Sequence, residues 1–135
     1  MKELSIYESQ VKQTIENLIQ LASHFDLKAI DQIYHDDMQV VMVDPVGKAH
    51  TSDKNAFKQM IQERKDEGTP MNTWVQFQHV QASAERGLVV LSRKNNLAGQ
   101  DMLLNLSIDL KYEDGRWQVT REIIFLHPES TSNLN

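Results

Sequence analysis

The residue most readily given work in this sequence is Asp44, set before Pro45-Val46-Gly47 at the end of a β-branched run from Met38 to Val43. Enclosed by apolar groups, such a carboxylate loses hydration, becomes more basic and can move a proton beside a carbonyl. The same aspartate is also ordinary turn chemistry, accepting N–H groups at a strand end. His79 stands in phase with Val75, Phe77 and Gln81. In a pocket its imidazole would titrate near neutrality and shuttle protons; on a strand surface it would simply be solvated. Asp44 and His79 are therefore the candidate catalytic groups. Arg121 alternates with Trp117, Val119, Ile123 and Phe125, which turns it toward the apolar face of its strand. A guanidinium there demands a partner. Asp44 or Asp36 would make that partner a structural bridge; otherwise the cavity is built for an anion such as a carboxylate, which arginine grips bidentately. A bulge would flip the phase and leave Arg121 in solvent.

Other chemistries lack their residues. The chain has no cysteine, which removes disulfides, thiol nucleophiles, iron–sulfur clusters and cysteine-ligated zinc. Its five histidines are scattered, with neither His-x-His nor His-Glu-x-x-His. His35-Asp36-Asp37 reads as the solvated end of a helix, because neighbours on an extended chain point apart and chelate poorly. No metal is expected. With five glycines and no phosphate-cradling loop, no nucleotide or other cofactor is assigned. Lys and Arg total 14 against 19 Asp and Glu, a net charge of −5, so a basic footprint for nucleic acid or an anionic membrane is missing. Acids in the opening Met-Lys-Glu-Leu-Ser-Ile-Tyr-Glu do not suit a signal peptide, and no stretch approaches the length of a membrane span. A soluble cytoplasmic protein is expected.

Helices must supply one wall of any pocket. Val11, Ile15, Leu18, Ile19, Ala22 and Phe25 recur on one helical stripe. Asp26 can cap a second, shorter helix that turns Leu27, Ile30, Ile33 and Tyr34 inward. A third opens at Ser52 or Asp53, buries Phe57, Met60 and Ile61, and stops at Gly68 before Pro70. Met38 to Val43 reads as a strand. From Thr73 the period becomes two: strands at about 73–84 and 88–95, with turns at Arg86-Gly87 and over 95–100. Met102 to Tyr112 then alternates cleanly, and Glu113-Asp114-Gly115 turns the chain into a last strand carrying Trp117 to Phe125. With 135 residues, 40% of them hydrophobic, the chain makes one domain over 1–127, followed by a flexible C-terminal tail over 128–135. Helices first and antiparallel strands afterward give an α+β fold.

This order resembles the nuclear transport factor 2-like superfamily, which includes ketosteroid isomerases and SnoaL-like polyketide cyclases. The likeness runs from about Tyr7 to His127. It is carried by Leu27-Lys28-Ala29-Ile30-Asp31-Gln32-Ile33-Tyr34-His35-Asp36-Asp37, by Val43-Asp44-Pro45-Val46-Gly47 and by Asp114-Gly115-Arg116-Trp117-Gln118-Val119. It implies a cone-shaped, curved antiparallel sheet of cystatin-like form packed against three helices that close a pocket, and sheet-to-sheet homodimers. Around Asp44-Pro45 the likeness is to ketosteroid isomerase, which implies that Asp44 is the base. The stretch from Tyr34 to Asp44 is longer than in that family by an even insertion, which keeps the strand phase. Ile108 falls where the isomerases carry a protonated acid, and Leu18 near their first-helix tyrosine. Each missing donor would forfeit about 3 kcal/mol of oxyanion stabilisation, so familiar isomerase chemistry fits poorly.

The resulting expectation is a mostly apolar ligand pocket lined by Tyr34, Met42, Phe57, Trp74, Trp117 and Arg121, taking a small hydrophobic or carboxylate-bearing ligand. One alternative is an isomerase or lyase using Asp44 or His79 for proton transfer. Another is a protein-interaction module acting through the outer sheet face, where Leu88, Val90, Leu103, Ile124 and Leu126 favour a homodimer.

Overall fold

Short polar side chains fix where each helix begins. The computed structural model describes residues 3–68, 70–95 and 102–128. The Ser5 hydroxyl accepts from the Glu8 N–H at 3.1 Å while the Glu8 carboxylate accepts from the Ser5 N–H at 2.9 Å, a reciprocal cap that starts α1 (Ile6–Ser23). Asp26 caps α2 (Leu27–Ile33) through the Ala29 N–H at 3.1 Å, and Asp53 caps α3 (Lys54–Asp66) through the Ala56 N–H at 2.8 Å. The α1 stripe of Val11, Ile15, Leu18, Ile19 and Ala22 is buried as its spacing predicts.

Six strands follow the period-two pattern: β1 (Tyr34–Val43), β2 (Ala49–Asp53), β3 (Val75–Ala82), β4 (Arg86–Asn95), β5 (Met102–Glu113) and β6 (Arg116–Pro128). They form one sheet in the order β2-β1-β6-β5-β4-β3. The three helices pack on one face of this curved, open sheet, and the core lies between the two layers. The sheet is mixed: β1 runs parallel to β6 and every other pair is antiparallel. The crossover from β1 through α3 and on to the β3–β6 meander brings β6 back beside its parallel neighbour.

The elements depart from the sequence reading in identifiable places. Ala49–Asp53, not foreseen as a strand, folds back on β1 after the turn at Asp44. His35, Asp36 and Asp37 belong to β1 rather than to a helix end, and His35 Nε2 meets Glu113 Oε2 at 3.0 Å. The β3–β4 turn sits at Ser83–Glu85, closed by Ser83 N–H to Arg86 C=O at 2.8 Å, so Arg86 and Gly87 are strand residues. The turn expected over 95–100 lies, apart from the Asn95 backbone, outside the described residues. The tail expected over 128–135 begins one residue too early, since Pro128 pairs with Met102 at the end of β6, and the rest of it lies outside the described residues.

Two β-bulges decide which side chains face the helices. In β3, Phe77 pairs with Leu91 and His79 with Val90, leaving Gln78 without a partner. Val75 and Phe77 stay inward against the core, while His79 and Gln81 are turned outward. In β6, Val119 pairs with Leu110 and Arg121 with Asp109, leaving Thr120 as the extra residue. Before the bulge Trp117 and Val119 face inward; after it Glu122, Ile124 and Leu126 do. Ile123 and Phe125 are thereby outside, so the outer face holds those two in place of Ile124 and Leu126.

Gly87 sits beneath α1: a Cβ there would stand 2.8 Å from Val11 Cγ2, on a β-branched side chain that cannot swing aside. Gly87→Ala should therefore cost about 1–3 kcal/mol in urea unfolding by displacing α1 from β4. An unchanged midpoint would contradict the close approach. Arg121→Ala should cost no more than about 1 kcal/mol, as for any exposed ion pair. A loss of about 3–5 kcal/mol would mean that its guanidinium is buried after all.

Candidate functional site

A cavity of about 40 Å³ lies under α1 and α3 against the inward faces of β1, β4, β5 and β6. That is well above the roughly 10–15 Å³ a cavity must offer to hold one water, so the space suits a fragment of a few heavy atoms. The roof is held by charge: Lys54 Nζ donates to Asp36 Oδ1 at 3.0 Å and to the Asp31 carbonyl at 3.1 Å, and Lys58 Nζ to Asp31 Oδ1 at 2.7 Å. These bonds tie α3 to α2 and β1, and seat Phe57 and Ile61 over the opening. The lining is hydrocarbon apart from Tyr34, Arg93 and Glu122.

Glu122 owes its place to the Thr120 bulge and is only 3% exposed. Burial pushes its carboxyl up to about 7; the hydrogen bond from Tyr34 and the charge of Arg93 oppose that rise without cancelling it. The Tyr34 hydroxyl is driven well above its usual range by its own burial and by the Glu122 charge, so it stays protonated and acts as a donor. Its ring stands edge-on to Phe57 at 5.7 Å, which fixes its orientation.

Arg93 is in phase with Val89 and Leu91 on β4 and is 9% exposed. Its Nη2 donates to the Asn72 carbonyl at 2.7 Å, anchoring the segment that leads into β3. Its buried Nε has no hydrogen-bond partner among the described residues. Burial pulls its pKa down, opposed by the Glu122 charge, but a guanidinium remains a cation at any physiological pH. The cavity therefore combines an acid that changes charge near neutrality, a phenol donor and a cation with an unused N–H. Such a set can exchange a proton with a bound molecule and stabilise the oxyanion that results.

The expected site residues are only partly brought together. Tyr34 and Phe57 line the cavity as foreseen, and Met42 packs against the core without reaching it. Trp117 is buried elsewhere, with Nε1 donating to Gln10 Oε1 at 3.1 Å and its ring against Tyr112. Trp74 is exposed beneath the Lys94 ammonium. Arg121 points outward, its side chain 55% exposed, with Nε and Nη2 both on Asp109 Oδ2 at 2.9 and 2.8 Å. The bulge, not an internal carboxylate, disposes of that charge.

Asp44 occupies the β1–β2 turn. Its Oδ1 accepts from the Lys48 and Val46 N–H groups at 2.9 and 3.1 Å, and its Oδ2 meets His50 Nε2 at 3.1 Å. Those bonds, led by that from Lys48, hold its carboxyl below the usual range, the opposite of what a base requires. His79 is exposed on the outer face beside Gln81.

Glu122 and Arg93 escaped the sequence reading for different reasons. Ile123, Ile124, Phe125 and Leu126 are apolar in both strand phases, so nothing local showed which phase survived Thr120. Arg93 was legible: it alternates with Val89 and Leu91, the same pattern that singled out Arg121.

Among the described residues no helix is long and apolar enough to cross a membrane. No curated protein matches the chain in sequence. Solved structures share its fold at low identity. A nuclear transport factor 2-like protein of unknown function from Silicibacter pomeroyi has a TM-score of 0.71 and 15% identity, over 88% of this chain and 94% of that one. A protein of unknown function with a cystatin-like fold from Nostoc punctiforme has a TM-score of 0.67 and 10% identity, over 96% and 97%. A ketosteroid isomerase-like protein from Erwinia carotovora atroseptica has a TM-score of 0.59 and 16% identity, over 91% and 96%. The SnoaL-like domain matches residues 11–122, from the first buried valine of α1 to the cavity glutamate, and the chain belongs to that family.

Proposed function

We propose that this protein binds a small organic molecule in the helix-roofed cavity and that Glu122 exchanges a proton with it, as an isomerase or lyase acting beside a carbonyl requires. The observation that carries this reading is a carboxyl enclosed by hydrocarbon and flanked by Tyr34 and Arg93, where burial pushes its pKa up to about 7. The role first considered for Asp44 and His79 passes to Glu122, because the turn aspartate and the outer-face histidine do not line the cavity. Ligand pockets usually span about 300–1,000 Å³, so the 40 Å³ here favours a compact ligand over a polycyclic one.

A second reading rests on the outer face, where Phe125 is 44% exposed and Ile123, Val41 and Val43 lie beside it on paired strands. This apolar strip supports a homodimer through the sheet.

The Glu122 reading fixes the sign of a pH effect. Its folded-state pKa is raised, so the native state holds a proton that the unfolded chain releases between about 4.5 and 7. Stability should fall as pH rises through that window, by about 3 kcal/mol in all, and level off above it. Glu122→Gln should abolish the fall; a slope that persists in the variant would assign it elsewhere. In a screen of small ketones and hydroxy acids, any substrate turned over should lose about 100-fold or more in kcat with Glu122→Gln. Asp44→Asn and His79→Ala should leave turnover unchanged. For the outer face, sedimentation should show a dimer that Phe125→Lys dissociates, and a monomeric wild type would refute that reading.

A further inference from the structure

We infer that Arg93 anchors the carboxylate of a small organic acid in the cavity, and that Glu122 takes up a proton as the anion enters. This deepens the ligand-binding reading above and rests on it.

The inference starts from an unmet demand. Arg93 carries five N–H donors. One is used on the Asn72 carbonyl, at 2.7 Å, and Nε is buried without a partner among the described residues. An enclosed donor left unpaired costs free energy unless something else accepts from it. Arg93 lines the cavity, so the open volume is where an acceptor can sit. A space of about 40 Å³ suits a compact carboxylic acid, and the planar fork of a guanidinium matches the two oxygens of its carboxylate.

Charge balance says which form of the site receives it. The titratable and charged groups that face Glu122 are Tyr34 from β1 and Arg93 from β4; α1, α3 and β5 present only hydrocarbon to the cavity. With Glu122 ionised, one anion already balances the guanidinium and a second would stand beside like charge. With Glu122 protonated, the guanidinium is uncompensated and the carboxyl O–H becomes a donor. An incoming carboxylate then restores neutrality, accepting from Arg93 and from Glu122 or Tyr34. Anion binding and protonation of Glu122 are thus one linked equilibrium, and each must favour the other.

The probes are acetate and pyruvate, with acetamide and acetone as neutral counterparts of similar size. Calorimetric titration near pH 6 and near pH 8 should show the acids binding up to about 10-fold more tightly at the lower pH, as expected when a group of pKa near 7 must be protonated first. Repeating it in buffers of different ionisation enthalpy near pH 7 should show net proton uptake, and acetamide and acetone should bind more weakly. Glu122→Gln should bind the acids with no pH dependence. Arg93→Met should lose at least about 10-fold in affinity, and Arg93→Lys, which keeps the charge without the fork, should fall between.

Acetamide binding as well as acetate, or full affinity in Arg93→Met, would overturn the anchor. Should Arg93→Met fail to fold, the pH dependence of wild type against Glu122→Gln still decides. Acids that fail to bind while neutral ketones bind in a Glu122-dependent manner would sink the anion site and leave proton transfer standing. A wild type that binds no probe and whose stability shows no fall between about pH 4.5 and 7 would remove both.

Discussion

Thr120 has no partner on β5, and that one extra residue turns everything after it on β6 to the opposite face of the sheet. The bulge is held locally. The Thr120 hydroxyl donates to the Asp109 carbonyl at 3.3 Å, and the Asp109 carboxylate receives two N–H donors of Arg121 on the outside. One charge is thereby carried to solvent, where an ion pair costs little and contributes little. The next, Glu122, is carried beneath the helices, where nothing but hydrocarbon, a tyrosine and an arginine surrounds it. The chemistry proposed for the cavity depends on that exchange of faces.

A buried carboxyl is a standing cost to the native state, offset here by the core on either side of it. That core is close-knit: Ile15, Ile30, Leu91, Leu104, Leu110 and Val119 are fully enclosed, and Gly87 admits α1 to van der Waals distance of β4. Within such a frame the acid cannot relax toward water, and its proton affinity is set by the cavity rather than by solvent. Tyr34 is locked against Phe57, and Arg93 is tethered at one nitrogen to Asn72, so the polar groups are positioned before any ligand arrives.

The fold was largely legible because its signals repeat. The α1 stripe, the Asp26 and Asp53 caps and the clean alternation from Met102 to Tyr112 each fix an element locally, and their order carries the family likeness. Short or singular features were not legible. Ala49–Asp53 is a strand because β1 offers it an edge, while four of its five residues are exposed and leave no apolar pattern. The site suffered most, since a bulge is a single-residue event that inverts every inference drawn beyond it. Phe77 and His79 were put on one face, as were Val119 and Arg121, and in both strands the inserted residue separated them. The requirement for a paired or solvated guanidinium was sound physics; it belonged to Arg93 for the cavity and to Asp109 for Arg121.

The claim that Glu122 is enclosed and poised near neutrality is tested most directly by carbon-detected NMR titration of its side-chain carboxyl, assigned through Glu122→Gln. The account predicts a midpoint at about 7, shifted lower in Arg93→Lys only if the cation moves closer to it. A midpoint near the ordinary value of 4.5 would show the carboxyl in contact with water and contradict the account.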